Sequence, residues 1–244
     1  DADGVAAGTG VVSASEGVAT FNGTAGLHAA SNGNDISEVL KTFTLAFDIQ
    51  ASTAHSGWAI PVGFGWNNWE PTKWGMFQFS AGSNLLRYST GPNIDGTTNA
   101  FWAAEIGNVK TDGFQSVLLI AEPGKKIEVY LDGVLKYSHD LPQDFTFSDS
   151  QMRFALGGVS CWGNIYCPFV GALKNVEIYD FAFNKLQMIS YNVNGKLTSS
   201  DIAEQEEVAP LTKYEFKDAA NPGKDSMGNY DLVLKDADGV DAGT

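Results

Sequence analysis

Cations are scarce in this sequence. Its 244 residues carry 15 Lys+Arg against 29 Asp+Glu, a formal net charge of −14. Phosphate binding needs a basic face, so nucleic acid is excluded as a partner, and an anionic membrane surface with it. No run of about 18 apolar residues occurs, so no membrane insertion is expected. Three His, at positions 28, 55 and 139, lie far apart, and no GxSxG elbow, HExxH pair or P-loop is present. There are two Cys, Cys161 and Cys167. Their spacing is not that of a redox CxxC, and with no His nearby they cannot complete a zinc tetrad.

What is abundant points to β structure. Hydrophobic residues make up 43% and aromatics 12% of the chain, too many for disorder. Gly is 27 of 244, above the usual share of about 7%. Sandwiches often reach about 250 residues as one unit, so one large domain is the first expectation. The ends add a second expectation. Residues 1–9 read DADGVAAGT and residues 236–244 read DADGVDAGT, a near-duplication at an offset of 235. Such self-similarity at a fixed period indicates a tandem array, with this chain as a fragment cut in mid-repeat.

Read for period two, the chain is strand after strand. Phe43, Leu45, Phe47 and Ile49 alternate with polar or small residues. Trp58, Ile60, Val62 and Phe64 alternate next, with Pro61 marking an edge or bend. Trp74–Ser80 and Leu85–Ser89 form a further pair, and Asn99–Ile106 a weaker strand. Phe114–Ala121 is nearly all apolar and is expected to be a central strand buried on both faces. Lys126–Leu131 and Val134–His139 flank Asp132-Gly133, the pair favoured by a two-residue type I′ turn. Met152–Leu156 and Ala172–Asp180 follow. Leu186, Ile189 and Val193 fall at helical spacing, with Asn184 placed to cap the helix and Gly195 to end it. Residues 199–210 (SSDIAEQEEVAP) are acidic and aperiodic, a connector. Lys213–Lys217 and Asn229–Lys235 are two short strands around a turn-rich stretch.

Several of these segments carry a family resemblance: FTLAFDI (43–49), VLLIAEPGKKIEVYLDGVLKYS (117–138), MRFALGG (152–158), FVGALKNVEIYDFAFNKLQMISYNVNGK (169–196), KYEF (213–216) and DSMGN (225–229). Together they resemble the laminin-G-like, concanavalin-A-like jelly roll of bacterial surface proteins and carbohydrate-active enzymes. The resemblance implies an all-β antiparallel sandwich with one short helix near 184–194. It also implies that KYEF is the family's opening strand, here at the C-terminal end. Residues 1–198 would then be the body of one repeat, 199–210 a connector, and 211–244 the opening strands of the next. Those strands are expected to complete the same sandwich, within one chain as a permuted monomer or between two as a strand-swapped dimer. The fold hosts lectins, enzymes and adhesive modules alike, so it does not settle function.

Three candidate sites stand out. Trp66, Asn67, Asn68, Trp69 and Glu70, with Trp74, lie in one aromatic stretch between strands. Trp faces stack on sugar faces, and Asn and Glu bind hydroxyls. Trp162 and Tyr166 could add a second wall. Cys161 and Cys167 enclose WGNIY and are expected to form a disulfide that shapes this loop. Laminin-G-like domains often hold calcium, and Asp-rich turns supply oxygen ligands. The candidates are Asp225 and Asn229, with Asp1, Asp3, Asp236 or Asp238. A sandwich glycosidase needs two carboxylates facing across a cleft at about 5–9.5 Å. Glu105, Glu128 and Glu177 are isolated, and no closely spaced acid pattern occurs.

The sequence thus reads as a non-catalytic extracellular binding or adhesion module from a bacterial cell surface, with a glycan as ligand. A host surface or secreted protein such as an immunoglobulin is the alternative partner, and a purely structural stalk repeat the third reading. Asn22-Gly23-Thr24 fits the glycosylation pattern, which in a bacterial protein would usually mean nothing.

Overall fold

The computed structural model describes residues 12–29, 36, 40–64, 74–91, 102–143, 145, 152–161, 164–195 and 209–236. The alternating segments form two antiparallel sheets packed face to face. In spatial order the first sheet holds β1 (Val12–Ser15), β2 (Val18–Asn22), β15 (Val170–Tyr179), β4 (Phe43–Ala51), β9 (Gln115–Ala121), β10 (Lys126–Leu131) and β11 (Val134–Asp140). β16 (Thr212–Tyr214) pairs with the far half of β15, in line with β2. The second sheet runs β17 (Leu232–Asp236), β3 (Ala25–Ala29), β12 (Met152–Leu156), β5 (Val62–Phe64), β6 (Trp74–Gln78), β7 (Leu85–Gly91) and β8 (Trp102–Asn108). A hairpin of β13 (Val159–Cys161) and β14 (Asn164–Tyr166) continues from β12.

The core lies between the sheets. Phe21, Phe43, Phe47, Phe64, Phe77, Phe79, Phe154 and Phe169 are all fully buried there. Most of their rings meet tilted or edge-on, as between Phe47 and Phe77 at 5.1 Å, while Phe79 and Phe169 stack at 5.9 Å. β9 is central, as its apolar run requires. Leu119 faces the main core, and Leu118 and Ile120 face a second cluster on the outer side. The Asp132-Gly133 turn has φ of 48° and 74°, both left-handed, as a type I′ hairpin demands.

The outer cluster lies beneath α1 (Lys185–Asn194). Asn184 caps it, accepting from the Leu186 and Gln187 amides, while Gln187 reaches back to the Asn184 amide at 2.8 Å. Gly195 ends it in the left-handed conformation. The stripe that signals this helix in the sequence faces solvent: Leu186 is 69% exposed, Ile189 52% and Val193 76%. The face turned to the sheet is Gln187, Ser190 and Tyr191.

Residues 209–236 are part of the sandwich. Tyr214, Phe216 and Leu232 are buried in the main core, and Tyr214 stacks on Phe154. Gly223 lets the chain turn back on itself there. A Cβ at this position would lie 2.1 Å from the Leu232 carbonyl oxygen.

Candidate functional site

The strand ends that flank the predicted aromatic residues lie at one end of the second sheet. Phe64 pairs across to Gly75, Trp74 to Gly91 and Thr90 to Trp102. Phe64 also pairs with Phe154, Met152 pairs with Cys161, and Cys161 pairs with Asn164. The strand ends that bracket 65–73, 92–101 and 162–163 therefore stand side by side. Trp66, Asn67, Asn68, Trp69, Glu70 and Trp162 lie outside the described residues. Trp74 opens β6 at this end. Tyr166 sits level with Phe64 on the hairpin and is exposed. Trp58, which the sequence reading placed in a strand, is half exposed in a loop before the bridge between Ala59 and Phe79, at the opposite end.

The expected disulfide is corrected. Cys161 pairs with Asn164, so Cys167 lies three residues further along the opposing chain. At about 3.3 Å per residue that offset alone is near 10 Å, beyond the 4.4–6.8 Å that a disulfide allows between Cα atoms. Cys167 is a free thiol, packed against Ile60, Met76 and Val159 on the outer side of the sheet, and burial raises its pKa.

Asp225 is 1% exposed, and its carboxylate is fully engaged by the backbone. The Lys213 and Met227 amides donate to Oδ1, both at 2.9 Å. The Asn229 and Tyr230 amides donate to Oδ2, both at 3.1 Å. An ionised carboxylate has about four acceptor sites, so this one has none left for a cation. The Asn229 side-chain amide leans on the Met227 carbonyl. These two residues do not fit a calcium site. Asp236 ends β17, and Asp1, Asp3 and Asp238 lie outside the described residues. Among the described residues no group of three or more His, Cys, Asp or Glu is placed to hold a metal ion.

A second buried carboxylate is one the sequence offered only as an isolated acid. Glu177 on β15 is 3% exposed. Lys213 on β16 faces it across the pair, Nζ to Oε1 at 2.7 Å. The Tyr179 and Tyr191 hydroxyls donate to Oε2 at 2.8 and 3.1 Å. Burial, and then the Glu177 charge, push both phenols well above their ordinary pKa. Glu177 so ties β15, β16 and α1 together. Glu105 pairs with Arg87, and Glu128 accepts from Tyr130 and Ser138.

The described residues also line two troughs. Thr20 and Gln50 flank Ala172 in one row across β2, β15 and β4. With Ser52, Thr53, Asn84 and Thr111 they line a trough of about 670 Å³ with no charged side chain. A second trough, of about 640 Å³, is charged, with Glu122, Lys125, Lys126, Glu128 and Asp140 around Phe183.

No family model matches this chain, and no curated protein does. Solved structures do. A candidate carbohydrate-binding protein from Bacteroides ovatus is similar over 94% of this chain and 61% of its own, with 14% identity and a TM-score of 0.57. Domain 4 of the extracellular arabinanase AbnA from Geobacillus stearothermophilus, solved with arabinotriose, matches 73% of this chain and 80% of its own, with 19% identity and a TM-score of 0.52. A heptameric pentraxin from Limulus polyphemus matches 82% and 86%, with 11% identity and a TM-score of 0.51. At these identities the likeness is one of fold. It is the jelly roll implied by the laminin-G-like, concanavalin-A-like resemblance.

Proposed function

We propose that this chain is a non-catalytic carbohydrate-binding module of an extracellular bacterial surface protein that repeats it in tandem. The observation that carries the reading is the convergence of strand ends at one end of the second sheet. It brings the chain flanking the Trp66–Glu70 stretch beside the chain flanking Trp162, with Tyr166 exposed next to them. Aromatic faces and amide side chains on a rigid sheet end would be the mix that sugar binding needs. Two structural neighbours, the candidate carbohydrate-binding protein and the arabinanase domain solved with arabinotriose, support the ligand class. Tandem copies would give weak sites avidity without new contacts. No helix of the described residues is long and apolar enough to cross a membrane. Asp225 is engaged by amides, so calcium enters the proposal only if chelation shifts the melting temperature, and then through Asp1, Asp3, Asp236 or Asp238.

A protein partner is the second reading, and α1 favours it. Leu186, Ile189 and Val193 present an apolar stripe to solvent, and Val134 on the neighbouring hairpin is 54% exposed. A glycan array and a panel of serum and mucosal proteins, probed with the chain, Trp69→Ala and Ile189→Asp, separate the two. Glycan binding lost in Trp69→Ala and kept in Ile189→Asp is expected. Binding to a protein alone, lost in Ile189→Asp, would replace the glycan reading.

A further inference from the structure

We propose that residues 209–236 are a strand pair that consecutive copies of this sequence share, each pair closing either the body before it or the body after it. The body cannot close without it. Tyr214, Phe216 and Leu232 fill the main core, β16 lengthens the edge of the first sheet, and β17 covers the edge of β3. A copy lacking the pair would expose both the cavity and two strand edges.

The chain direction at one corner lets the pair be supplied from the preceding copy. β17 runs antiparallel to β3 and arrives with Asp236 opposite Ala25. β1 runs antiparallel to β2 and departs from Val12 opposite Phe21. Phe21 and Ala25 are four residues apart, at most about 14 Å, and each cross-strand step adds about 5 Å. The gap from Asp236 to Val12 is therefore no more than about 24 Å. The terminal duplication sets the link that would bridge it. Asp236 matches Asp1, so the next copy's Val12 would follow Asp236 by eleven residues. Eleven residues reach about 36 Å, enough to cross the gap with slack. The observed arrangement uses the other connection, from Gly195 through residues 196–208 to β16. Loop-closure entropy changes slowly with length, so the two connections are nearly equivalent. Each pair then has two equivalent slots, one on either side. The inference rests on the tandem reading and is independent of the ligand.

The direct test reorders the chain without removing its structure: residues 209–235 followed by 1–198. This protein is expected to melt cooperatively within about 5 °C of the parent. A two-copy protein headed by 209–235 gives the second measurement. Val233→Cys is placed in the segment between the two bodies and His28→Cys in the second body, at positions that are Cα partners within this chain. Mild oxidation is expected to join them. A reordered protein with no cooperative transition, together with no cross-link in the two-copy protein, would overturn the proposal. A cross-link despite a misfolded reordered chain would sustain it and place the fault at the new junction. Glycan binding enters neither readout, so failure here leaves the functional proposal standing.

Discussion

Two buried carboxylates hold residues 211–236 in place, and they are satisfied in opposite ways. Asp225 takes four backbone amides and no cation. Glu177 takes one ammonium and two phenols, all from side chains. Asp225 shapes the segment itself, because three of its four donors lie within five residues. Glu177 fastens the finished segment to the sheet and the helix. The lesson is about function as much as fold. Both carboxylates are turned on the protein's own groups, so neither is left for a ligand. The proposed ligand site is where the aromatic loops attach.

The contrast can be broken by substitution. The largest effect is expected for Asp225→Ala, which leaves four amides without their acceptor. A loss of roughly 3–5 kcal/mol is expected in urea unfolding. A loss below about 1 kcal/mol would mean that water replaces the carboxylate at little cost. Glu177→Gln should cost less, about 1–3 kcal/mol, because Lys213 is about one-third exposed and keeps part of its hydration. Adding Lys213→Met to it should recover part of that loss, and no recovery would show that the pair is not coupled.

The phenols sharpen the comparison through pH. Tyr179 and Tyr191 have pKa values raised by burial and by Glu177, so the folded state favours their neutral form. Their contribution is fully present below the ordinary phenol value near 10 and is lost as pH rises above it. Unfolding free energy should fall more steeply above pH 10 in the parent than in Tyr179→Phe or Tyr191→Phe. Each substitution is also expected to cost about 1 kcal/mol at pH 7. The smallest effect is expected from chelation. Asp225 closes its turn with amides alone, so EDTA should leave the melting temperature unchanged. A fall on chelation would return calcium to Asp1, Asp3, Asp236 or Asp238.

Much of the fold was legible in the sequence because its signals are local. A nearly unbroken apolar run marked β9, and alternation marked β4, β10 and β11. Asp132-Gly133 marked their hairpin, and Asn184 and Gly195 marked the limits of α1. The helix was found through its apolar stripe, yet the structure buries the other face, because Tyr191 is drawn under the helix by Glu177 from a strand 14 residues away. Glu177 itself gave no signal, since its partners come from three separate elements. The cysteine error has a similar origin. A seven-residue span allows a disulfide, and only the hairpin register forbids it. Asp225 was noticed for the right reason, a turn rich in Asp, Asn and Gly. Such turns can offer oxygens to a cation or receive amides, and spacing does not say which. For the aromatic site the described strand ends supply position, while Trp66–Glu70 and Trp162 lie outside the described residues.

The central claim is a division of labour: the 211–236 corner closes the fold, and the loop-bearing end binds the ligand. Trp69→Ala tests it most directly, by glycan affinity and melting temperature measured on the same sample. The account predicts at least a tenfold loss of affinity with the melting temperature unchanged. Unaltered glycan binding, or a loss that merely follows a fall in melting temperature, would contradict it.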